Sequence, residues 1–300
     1  MPTTRSSRTG PPPRPSRRRR TPRGSGRPRT PPARDREARV VTRLLCVDVR
    51  NAHTTFGVFS DDALLDSWQV STDVRRTSDE WELLLRGFVP AAGSDAALDG
   101  ICVSSTVPTV LHELRAMLTN SYGDLPTVVV GPGVKSGLPV LMDNPREVGT
   151  DRVANAVAAF DLVGGPCIVV DFETATTFDV VDASGRYVGG AIAPGVETSV
   201  AALRERAAQL RQVQTERPRS VIAKNTIEAL QSGAVFGFAG QVDGLVTRIV
   251  DELDAEAADV EVIATGNVNL PVMSECSVFT RHEPALTLTG LRLIFERNLS

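Results

Sequence analysis

Two segments of the chain repeat one pattern, and this repeat constrains the fold more than any other feature. Residues 44–56 and 167–178 each contain an apolar stretch that ends in an aspartate, Asp48 or Asp171, followed by a polar turn and Thr-Thr-Phe. A second apolar stretch follows, which predicts a β-hairpin with an aspartate at the strand end. A carboxylate and hydroxyls at a tight turn suit a metal–phosphate site. Two such turns predict a pair of lobes that clamp one triphosphate from both sides.

The order of the predicted elements favours an α/β fold with a mixed sheet. Strand-like runs alternate with helical apolar spacing after residue 42, as in the predicted helix 79–89 and the predicted strand and polar turn over 100–108. We therefore predict an N-terminal lobe over residues 43–163 and a C-terminal lobe over residues 164–300. A cleft between two lobes is a common place for a ligand.

Residues 1–42 differ in composition from the rest of the chain. The first 40 residues contain thirteen arginines and nine prolines but only two acidic residues. Such a segment buries too little apolar surface to offset its chain entropy, so we predict that it is disordered. It is either a solvated tail or a weak nucleic-acid contact through Arg17-Arg18-Arg19-Arg20. Alternatively, the translated chain starts at Val40 or Val41, directly before the first strand.

The remainder of the chain is acidic, because the whole chain has a formal charge of −3 despite the arginine-rich tail. An acidic body argues against nucleic-acid binding by the folded part. The four cysteines form no Cys-x-x-Cys pair, which is typical of a cytoplasmic protein with reduced thiols. No apolar run is long enough to span a bilayer, so we expect no membrane partner. The absence of a Gly-x-x-x-x-Gly-Lys motif excludes an ordinary P-loop nucleotide hydrolase.

The loop at residues 143–152 carries the densest set of functional groups. Asp151 and Arg152 lie where a predicted helix over 153–163 begins, and a helix N-terminus favours negative charge and can receive an anion. Asp151 is therefore either part of a ligand site or the N-cap of this helix, with Arg152 as a surface cation. Similarly, the glycines of residues 189–195 permit close approach of a ligand or form a structural turn.

Six motifs occur in the order found in type III pantothenate kinases, and the chain resembles that family over residues 43–298. The motifs are Asp48-Val49-x-Asn51, Asp143-Asn144-Pro145-Arg146-Glu147-Val148-Gly149-x-Asp151-Arg152, Asp171-Phe172-x-Thr174-Ala175-Thr176-Thr177, Gly189-Gly190-Ala191-Ile192-Ala193-Pro194-Gly195, Lys224-Asn225-Thr226 and Leu288-x-Gly290-Leu291. The resemblance implies two lobes of actin-like ATPase and sugar-kinase topology, related to ribonuclease H, and a homodimer with ATP in the cleft. It also implies ATP-dependent phosphorylation of pantothenate to 4'-phosphopantothenate, the first step of coenzyme A biosynthesis.

The resemblance further implies roles for individual residues. Asp151 would act as the general base on the primary hydroxyl of pantothenate, Asp48 would hold Mg²⁺ through water, and Asp171 would bind K⁺ or NH₄⁺. The implied pantothenate contacts are Met142, Gly149, Thr150, Asp151, Arg152 and the partner subunit's Thr226. The implied nucleotide contacts are Asp48, Asn51, Thr54, Thr55, Thr174, Thr176, Thr177 and Gly266.

The chain departs from the family pattern mainly on the nucleotide side. Arg50 and Glu173 replace the glycines of the two turns, and Asn267 replaces the second glycine after the late strand. Each loss predicts strain or a lost close approach of the backbone, and Glu173 adds negative charge beside the phosphates. Arg50 would compensate by pairing with Glu173 or by reaching a phosphate. On the acceptor side, Met142 replaces a tyrosine and Thr150 an alanine.

Three functions remain open from the sequence. The first is a pantothenate kinase, or a relative with a changed acceptor or phosphoryl donor. The second is an inert pseudokinase that serves as a binding or regulatory protein, and the third is a regulator that acts through the arginine-rich tail. A contact between Arg50 and Glu173 would indicate a closed, nucleotide-free site.

Overall fold

The computed structural model describes residues 43–89, 97–206, 214–253, 255–267 and 271–299, so the tail predicted to be disordered lies outside the described residues. The described part forms an α/β fold, which confirms the predicted class. Its strands are β1 (Arg43–Val49), β2 (His53–Ser60), β3 (Ala63–Ser71), β4 (Gly100–Ser105), β5 (Thr127–Val129), β6 (Cys167–Phe172), β7 (Ala175–Val181), β8 (Tyr187–Pro194), β9 (Glu261–Gly266) and β10 (Arg281–His282). Its helices are α1 (Ser78–Phe88), α2 (Pro108–Ser121), α3 (Thr150–Val163), α4 (Val196–Arg206), α5 (Thr226–Glu252) and α6 (Leu286–Leu299).

The strands form two sheets with the same order, so the repeated sequence pattern does mark two related halves. The first sheet has the order β3-β2-β1-β4-β5, and the second has the equivalent order β8-β7-β6-β9-β10. In each sheet the first hairpin is antiparallel and the next strand pairs in parallel with the aspartate-bearing strand. Consequently β1 is equivalent to β6, and the turns that follow them occupy equivalent positions.

Both aspartate-bearing strands are buried on both faces, so each sheet has other elements packed on its two sides. Helices α1 and α2 cover one face of the first sheet, and α5 covers one face of the second. The remaining core cluster joins α3 and α6 to residues of both sheets. Strands buried on both faces read as continuous apolar runs, as these two do.

Helices α3 and α6 pack closely, and the glycine in the last sequence motif explains how. A Cβ added at Gly290 would stand 2.0 Å from the carbonyl oxygen of Ala154. Any side chain at this position would push the helices apart, which usually costs stability in a close-packed interior. The motif around Gly290 therefore fixes the helix pair that supports the site.

Residues Val40–Ser300 form one compact unit, so the division into lobes at residue 163 stays a prediction. No helix in the described ranges has the length and apolar character needed to cross a membrane.

Candidate active site

The functional carboxylates come together because equivalent strands end at the same place in each sheet. Asp48 pairs in register with Ser104 of β4, and Asp171 pairs with Thr265 of β9. Asp151 lies in the first turn of α3, whose N-cap is Gly149 rather than Asp151. The interpretation of Asp151 as the N-cap was therefore wrong. The carboxyl ends of parallel strands are a common location for ligand sites in α/β proteins.

Arg50, which replaces a turn glycine, extends between the two halves and binds both strand-end aspartates. Its Nε donates to Asp48 Oδ2 at 2.6 Å, and its Nη1 donates to Asp171 Oδ2 at 2.7 Å. The side chains of Arg50, Asp48 and Asp171 are 11%, 4% and 5% exposed, so solvent has little access to these ion pairs. Ion pairs with this little solvent are screened far less than surface pairs.

A closed ring of hydrogen bonds holds the Arg50 guanidinium in place. Its Nη2 donates to Thr287 Oγ1 at 2.8 Å, and the Thr287 hydroxyl donates to Asn155 Oδ1 at 2.7 Å. Asn155 Nδ2 in turn donates to Asp171 Oδ2 at 2.8 Å, which returns the ring to the carboxylate that Arg50 binds. The ring links the first turn to α6, α3 and β6. Buried hydrogen-bond networks of this kind stiffen a site.

Burial dominates the electrostatics of this centre. It raises the pKa of Asp48, although Arg50 lowers it, and the negative charge of Asp151 raises it further. Burial alone would lower the pKa of Arg50, but Asp171 and Asp48 together hold it well above its usual value. One oxygen each of Asp48, Asp151 and Asp171 is buried without a hydrogen-bond partner among the described residues. Buried oxygens in this state favour the arrival of a donor or a cation.

The structure corrects two expectations about the substituted turns. Among the described non-glycine residues only Asp61 has a positive φ, so Arg50, Glu173 and Asn267 impose no strain of that kind. Arg50 pairs with Asp48 and Asp171, and no ion pair or hydrogen bond joins it to Glu173. The contact that would have indicated a closed, nucleotide-free site is therefore not formed. The retained Gly266, with φ of 83°, is the position in these loops that needs glycine.

A cavity of about 570 Å³ lies beside the two turns. Its walls come from the β2–β3 hairpin, the β6–β7 turn, the start of α4 and the end of β9. A volume of this size is typical of a small-molecule site. The lining residues are Ala52, His53, Thr55, Ser67, Trp68, Gln69, Phe172, Glu173, Thr174, Val196, Glu197, Thr198, Gly266 and Asn267.

The N-terminus of α4 lies at this cavity and offers backbone N–H groups to a phosphate. Gly195 lets the start of α4 approach the β6–β7 turn closely, since an added Cβ would stand 2.2 Å from the carbonyl oxygen of Glu173. The cavity is not purely favourable for an anion, because Glu173 and Glu197 both line it. Burial raises the pKa of Glu173, and Arg50 lowers it.

The structure brings some of the expected nucleotide contacts to the cavity and directs others elsewhere. Thr55, Thr174 and Gly266 line it. Thr54 is buried and its hydroxyl bonds to the Thr72 hydroxyl at 2.9 Å. Alternation along β2 explains this, because neighbouring residues of a strand face opposite sides.

In the second half, the Thr177 hydroxyl donates to Asp179 Oδ2 at 3.2 Å. The buried Thr176 hydroxyl makes no hydrogen bond within the part of the chain that the structure describes. Asn51 is exposed in the first turn.

Among the residues near the expected site of the phosphoryl acceptor, sequence analysis did not identify Asp179, which positions Arg152. Asp179 is fully buried on β7, where its Oδ1 accepts from Arg152 Nε at 2.7 Å and from the Tyr187 hydroxyl at 2.8 Å. Burial raises the pKa of Asp179 to about 6, against the lowering effect of Arg152. The sequence did contain a signal for this role, because Asp179 is a charged residue inside the apolar run Phe178-Asp179-Val180-Val181. A charge buried in such a strand almost always has a partner.

The other expected acceptor residues surround the start of α3. The Thr150 and Ser104 hydroxyls lie 2.8 Å apart, which ties α3 to the end of β4. Met142 packs at the edge of the core, and its sulfur would lie 3.5 Å from a Cβ at Gly189. Thr226 is exposed at the first position of α5, which Asn225 caps by accepting from the Glu228 N–H at 2.9 Å.

The strand-end carboxylates differ in how well they fit the cations that the sequence resemblance implies. Among the described residues, no group of three His, Cys, Asp or Glu is arranged to hold a metal ion. The free oxygens of Asp48 and Asp151 do fit a divalent ion that arrives with phosphate ligands, as Mg²⁺ usually does. At Asp171 only Oδ1 is left to contact a monovalent cation, because Oδ2 already accepts from Arg50 and Asn155. The guanidinium bound to the same carboxylate would repel such a cation, so this site does not fit one.

Comparison with solved structures defines the class of protein. The chain is similar to a Baf family transcriptional activator from Campylobacter jejuni, with a TM-score of 0.53 and 18% identity over 85% of this chain and 98% of the other. It is also similar to a ROK hexokinase from Thermus thermophilus, with a TM-score of 0.50 and 16% identity over 86% and 99%. These likenesses confirm the sugar-kinase fold that the two equivalent sheets indicate.

Comparison with sequences then gives the family. The family description "Type III pantothenate kinase" matches residues 44–248. Proteins named type III pantothenate kinase from Streptomyces avermitilis and a Nocardioides species are 56% and 59% identical over 262 and 256 residues. Those alignments cover 86% and 85% of this chain and 99% of each relative. The chain belongs to the type III pantothenate kinase family, and none of these comparisons favours an inert homologue.

Proposed function

We propose that this protein transfers the terminal phosphoryl group of ATP to the primary hydroxyl of pantothenate. The observation that carries the proposal is the pair of buried, unpartnered carboxylate oxygens on Asp48 and Asp151. Asp48 lies near the end of β1 and Asp151 in the first turn of α3, close enough for the charge of Asp151 to act on Asp48. Phosphoryl transfer needs little from a protein beyond positioning and charge neutralisation, and this centre supplies both.

Asp151 acts as the general base in this proposal. Its Oδ1 makes no hydrogen bond to a residue that the structure describes, so it is available to accept the proton of the attacking alcohol. A positioned base of this kind contributes about 10²–10⁴-fold to a rate. Transfer of the proton from the alcohol to Asp151 accompanies attack on the phosphorus atom and departure of ADP.

ATP binds along the cavity beside the two turns, with its phosphates at the start of α4 and at Thr174. Support comes from the cavity's size and from the helix N-terminus at its wall. Asp48 holds Mg²⁺, which when bound offsets the negative charge of the phosphates. Thr55 and Gly266 line the same cavity and complete the nucleotide side.

Pantothenate binds beside Arg152, whose guanidinium pairs with the substrate's carboxylate. Arg152 uses only Nε in its bond to Asp179, and its terminal nitrogens make no hydrogen bond to the residues that the structure describes. Arginine recognises carboxylates through such paired terminal donors. Gly149, Thr150 and Met142 shape this end of the site.

A homodimer is part of the proposal, with the partner subunit's Thr226 contacting pantothenate. Its support is an exposed apolar patch around the start of α5, where Val221, Ile222 and Ile227 are 65%, 84% and 51% exposed. Apolar side chains exposed together are typical of protein interfaces. We also place the enzyme in the cytoplasm, since the described cysteines are all unpaired thiols.

A coupled assay of the full chain with Mg-ATP and pantothenate tests the proposal, with calorimetric titration of Mg-ATP alongside it. We expect turnover that Asp151→Asn lowers about 10²–10⁴-fold while Mg-ATP binding is retained. Asp161→Asn, on the same helix, is the matched control and should leave turnover unchanged. Binding of Mg-ATP without phosphorylation of pantothenate would refute the proposed function.

A further inference from the structure

The centre of the cleft already contains a positive charge that belongs to the chain. Arg50 lies between the strand-end aspartates of the two halves and binds one oxygen of each. Its third bond, to Thr287, uses the second terminal nitrogen. Every nitrogen of the guanidinium therefore has a partner, and each partner belongs to a different element of the fold.

This arrangement places the guanidinium where a bound cation would otherwise be needed. Two buried aspartates that approach one another from two sheets repel each other, and burial makes the repulsion stronger. A positive charge between them relieves it. In this chain that charge is covalently attached and only 11% exposed, so it neither dissociates nor exchanges with solvent ions.

The surroundings of Asp171 leave little room for a second cation. Its Oδ2 is used by two N–H donors, one of them from Arg50 at 2.7 Å. Its other oxygen, Oδ1, makes no hydrogen bond to a described residue, but it lies against the end of β9, where a Cβ at Gly266 would stand only 2.3 Å away. A free monovalent cation at that oxygen would also be repelled by the guanidinium on the same carboxylate.

We propose that the Arg50 guanidinium is a permanent cation that takes the place of a monovalent metal or ammonium ion at Asp171. The inference rests on the proposed kinase function for its role in catalysis, but its cation chemistry can be measured without substrate. Arg50 acts as a positioning residue that joins Asp48 to Asp171 and fixes the two turns around the phosphates. Folding, Mg-ATP binding and turnover are therefore independent of K⁺ and NH₄⁺.

Thermal unfolding of the full chain without nucleotide gives the first test, with KCl replacing choline chloride at constant ionic strength. Four proteins are compared: the parent, Arg50→Gly, Arg50→Lys and the surface control Arg75→Gly, whose arginine pairs with Asp73 in solvent. We expect the melting temperature of Arg50→Gly to rise by several degrees with a saturable dependence on K⁺. The parent, Arg50→Lys and Arg75→Gly should melt at the same temperature in both salts.

Comparing Arg50→Gly with Arg50→Lys separates the role of Arg50 as a resident cation from a purely structural role. Both substitutions break the hydrogen-bond ring and lower stability, but only the glycine variant lacks a resident charge. A saturable K⁺ response of the parent would overturn the proposal, because it would show a cation binding beside Arg50. The absence of any K⁺ response in a folded Arg50→Gly would overturn it as well.

If Arg50→Gly does not fold, calorimetric titration of the parent with Mg-ATP decides the matter. We expect affinities in KCl and in choline chloride that agree within about twofold, and a tenfold gain in KCl would overturn the proposal. Failure to bind Mg-ATP in either salt would count against the proposed kinase function alone. In that case the parent's melting temperature in the two salts still decides between a resident and an exchangeable cation.

Discussion

The β1–β2 turn and the β6–β7 turn are equivalent in the fold, yet the residues that replace glycine in them behave differently. Arg50 extends inward and makes three hydrogen bonds to Asp48, Asp171 and Thr287. Glu173 lies on the cavity wall and makes no side-chain hydrogen bond or ion pair with a residue in the described ranges. The first turn is fixed by internal charge pairing, whereas the second remains open to a ligand.

The sign of the side-chain charge explains why Arg50 and Glu173 behave differently. Both turns follow an aspartate, so an arginine finds carboxylates within reach, whereas a glutamate finds more negative charge. The comparison teaches that the effect of a lost glycine depends on its replacement when the backbone itself does not need a positive φ. The following predictions test this contrast between the halves, from the largest expected effect to the smallest.

Asp171→Asn should destabilise the protein more than Asp48→Asn does. Asp171 Oδ2 accepts from both Arg50 and Asn155, whereas Asp48 Oδ2 accepts from Arg50 alone. Breaking a buried charge pair costs about 3–5 kcal/mol, because the other charge is left without its partner. Urea unfolding followed by circular dichroism measures both losses. Equal losses, or a larger one for Asp48→Asn, would show that the ring through Asn155 adds nothing.

Gly266→Ala should lower the free energy of unfolding by roughly 3 kcal/mol. Its φ is 83°, and an added Cβ would meet Asp171 Oδ1 at 2.3 Å. The equivalent residue of the first half is Ser105, since each follows the residue paired with the strand-end aspartate. Ser105→Ala is the matched control and should cost much less in the same urea experiment. Similar losses would mean that the two strand ends have the same backbone requirement.

Asp179 should give the second sheet a pH-dependent contribution to stability at a strand position where the first sheet has no carboxylate. Its equivalent on β2 is Gly57, so the first sheet has no carboxylate at this position. The folded pKa of Asp179 is raised to about 6, above its unfolded value. The folded state therefore binds more protons between pH 4 and pH 6, and this group adds stability as pH falls.

The contribution of Asp179 should reach about 2 kcal/mol near pH 4 and vanish above pH 7. The measurement is urea unfolding of the parent and Asp179→Asn at several pH values. Their difference in unfolding free energy should change across this window in the parent's favour as pH falls. A constant difference would show that Asp179 does not titrate there.

Glu173→Gln should tighten Mg-ATP binding about tenfold, the smallest of these effects. Removing the negative charge from the cavity wall relieves repulsion of the phosphates while keeping nearly the same side-chain volume. Glu197→Gln is the matched control in the same cavity, where the Asn267 amide already donates to Glu197 Oε1 at 3.3 Å. Calorimetric titration measures both. An unchanged affinity for Glu173→Gln would show that this carboxylate points away from the bound phosphates.

Much of the fold and part of the site could be predicted from the sequence. The repeated strand, aspartate and turn predicted two related sheets, and the structure confirms their identical order. The helix beginning near Asp151 was predicted because apolar spacing reports local structure directly. By contrast, Asp179 was missed, because its partners Arg152 and Tyr187 are brought to it only by α3 and β8.

The sequence by itself determined the lineage, the two halves and the aspartates that end β1 and β6, since all of these depend on local pattern. Only the tertiary structure decided what Arg50 does. The sequence left it to pair with Glu173 or with a phosphate, and the fold instead places it against Asp48, Asp171 and Thr287. The physical reason is distance: a guanidinium binds the carboxylates that packing brings within reach, and residues far apart along the chain become neighbours only after the two sheets assemble.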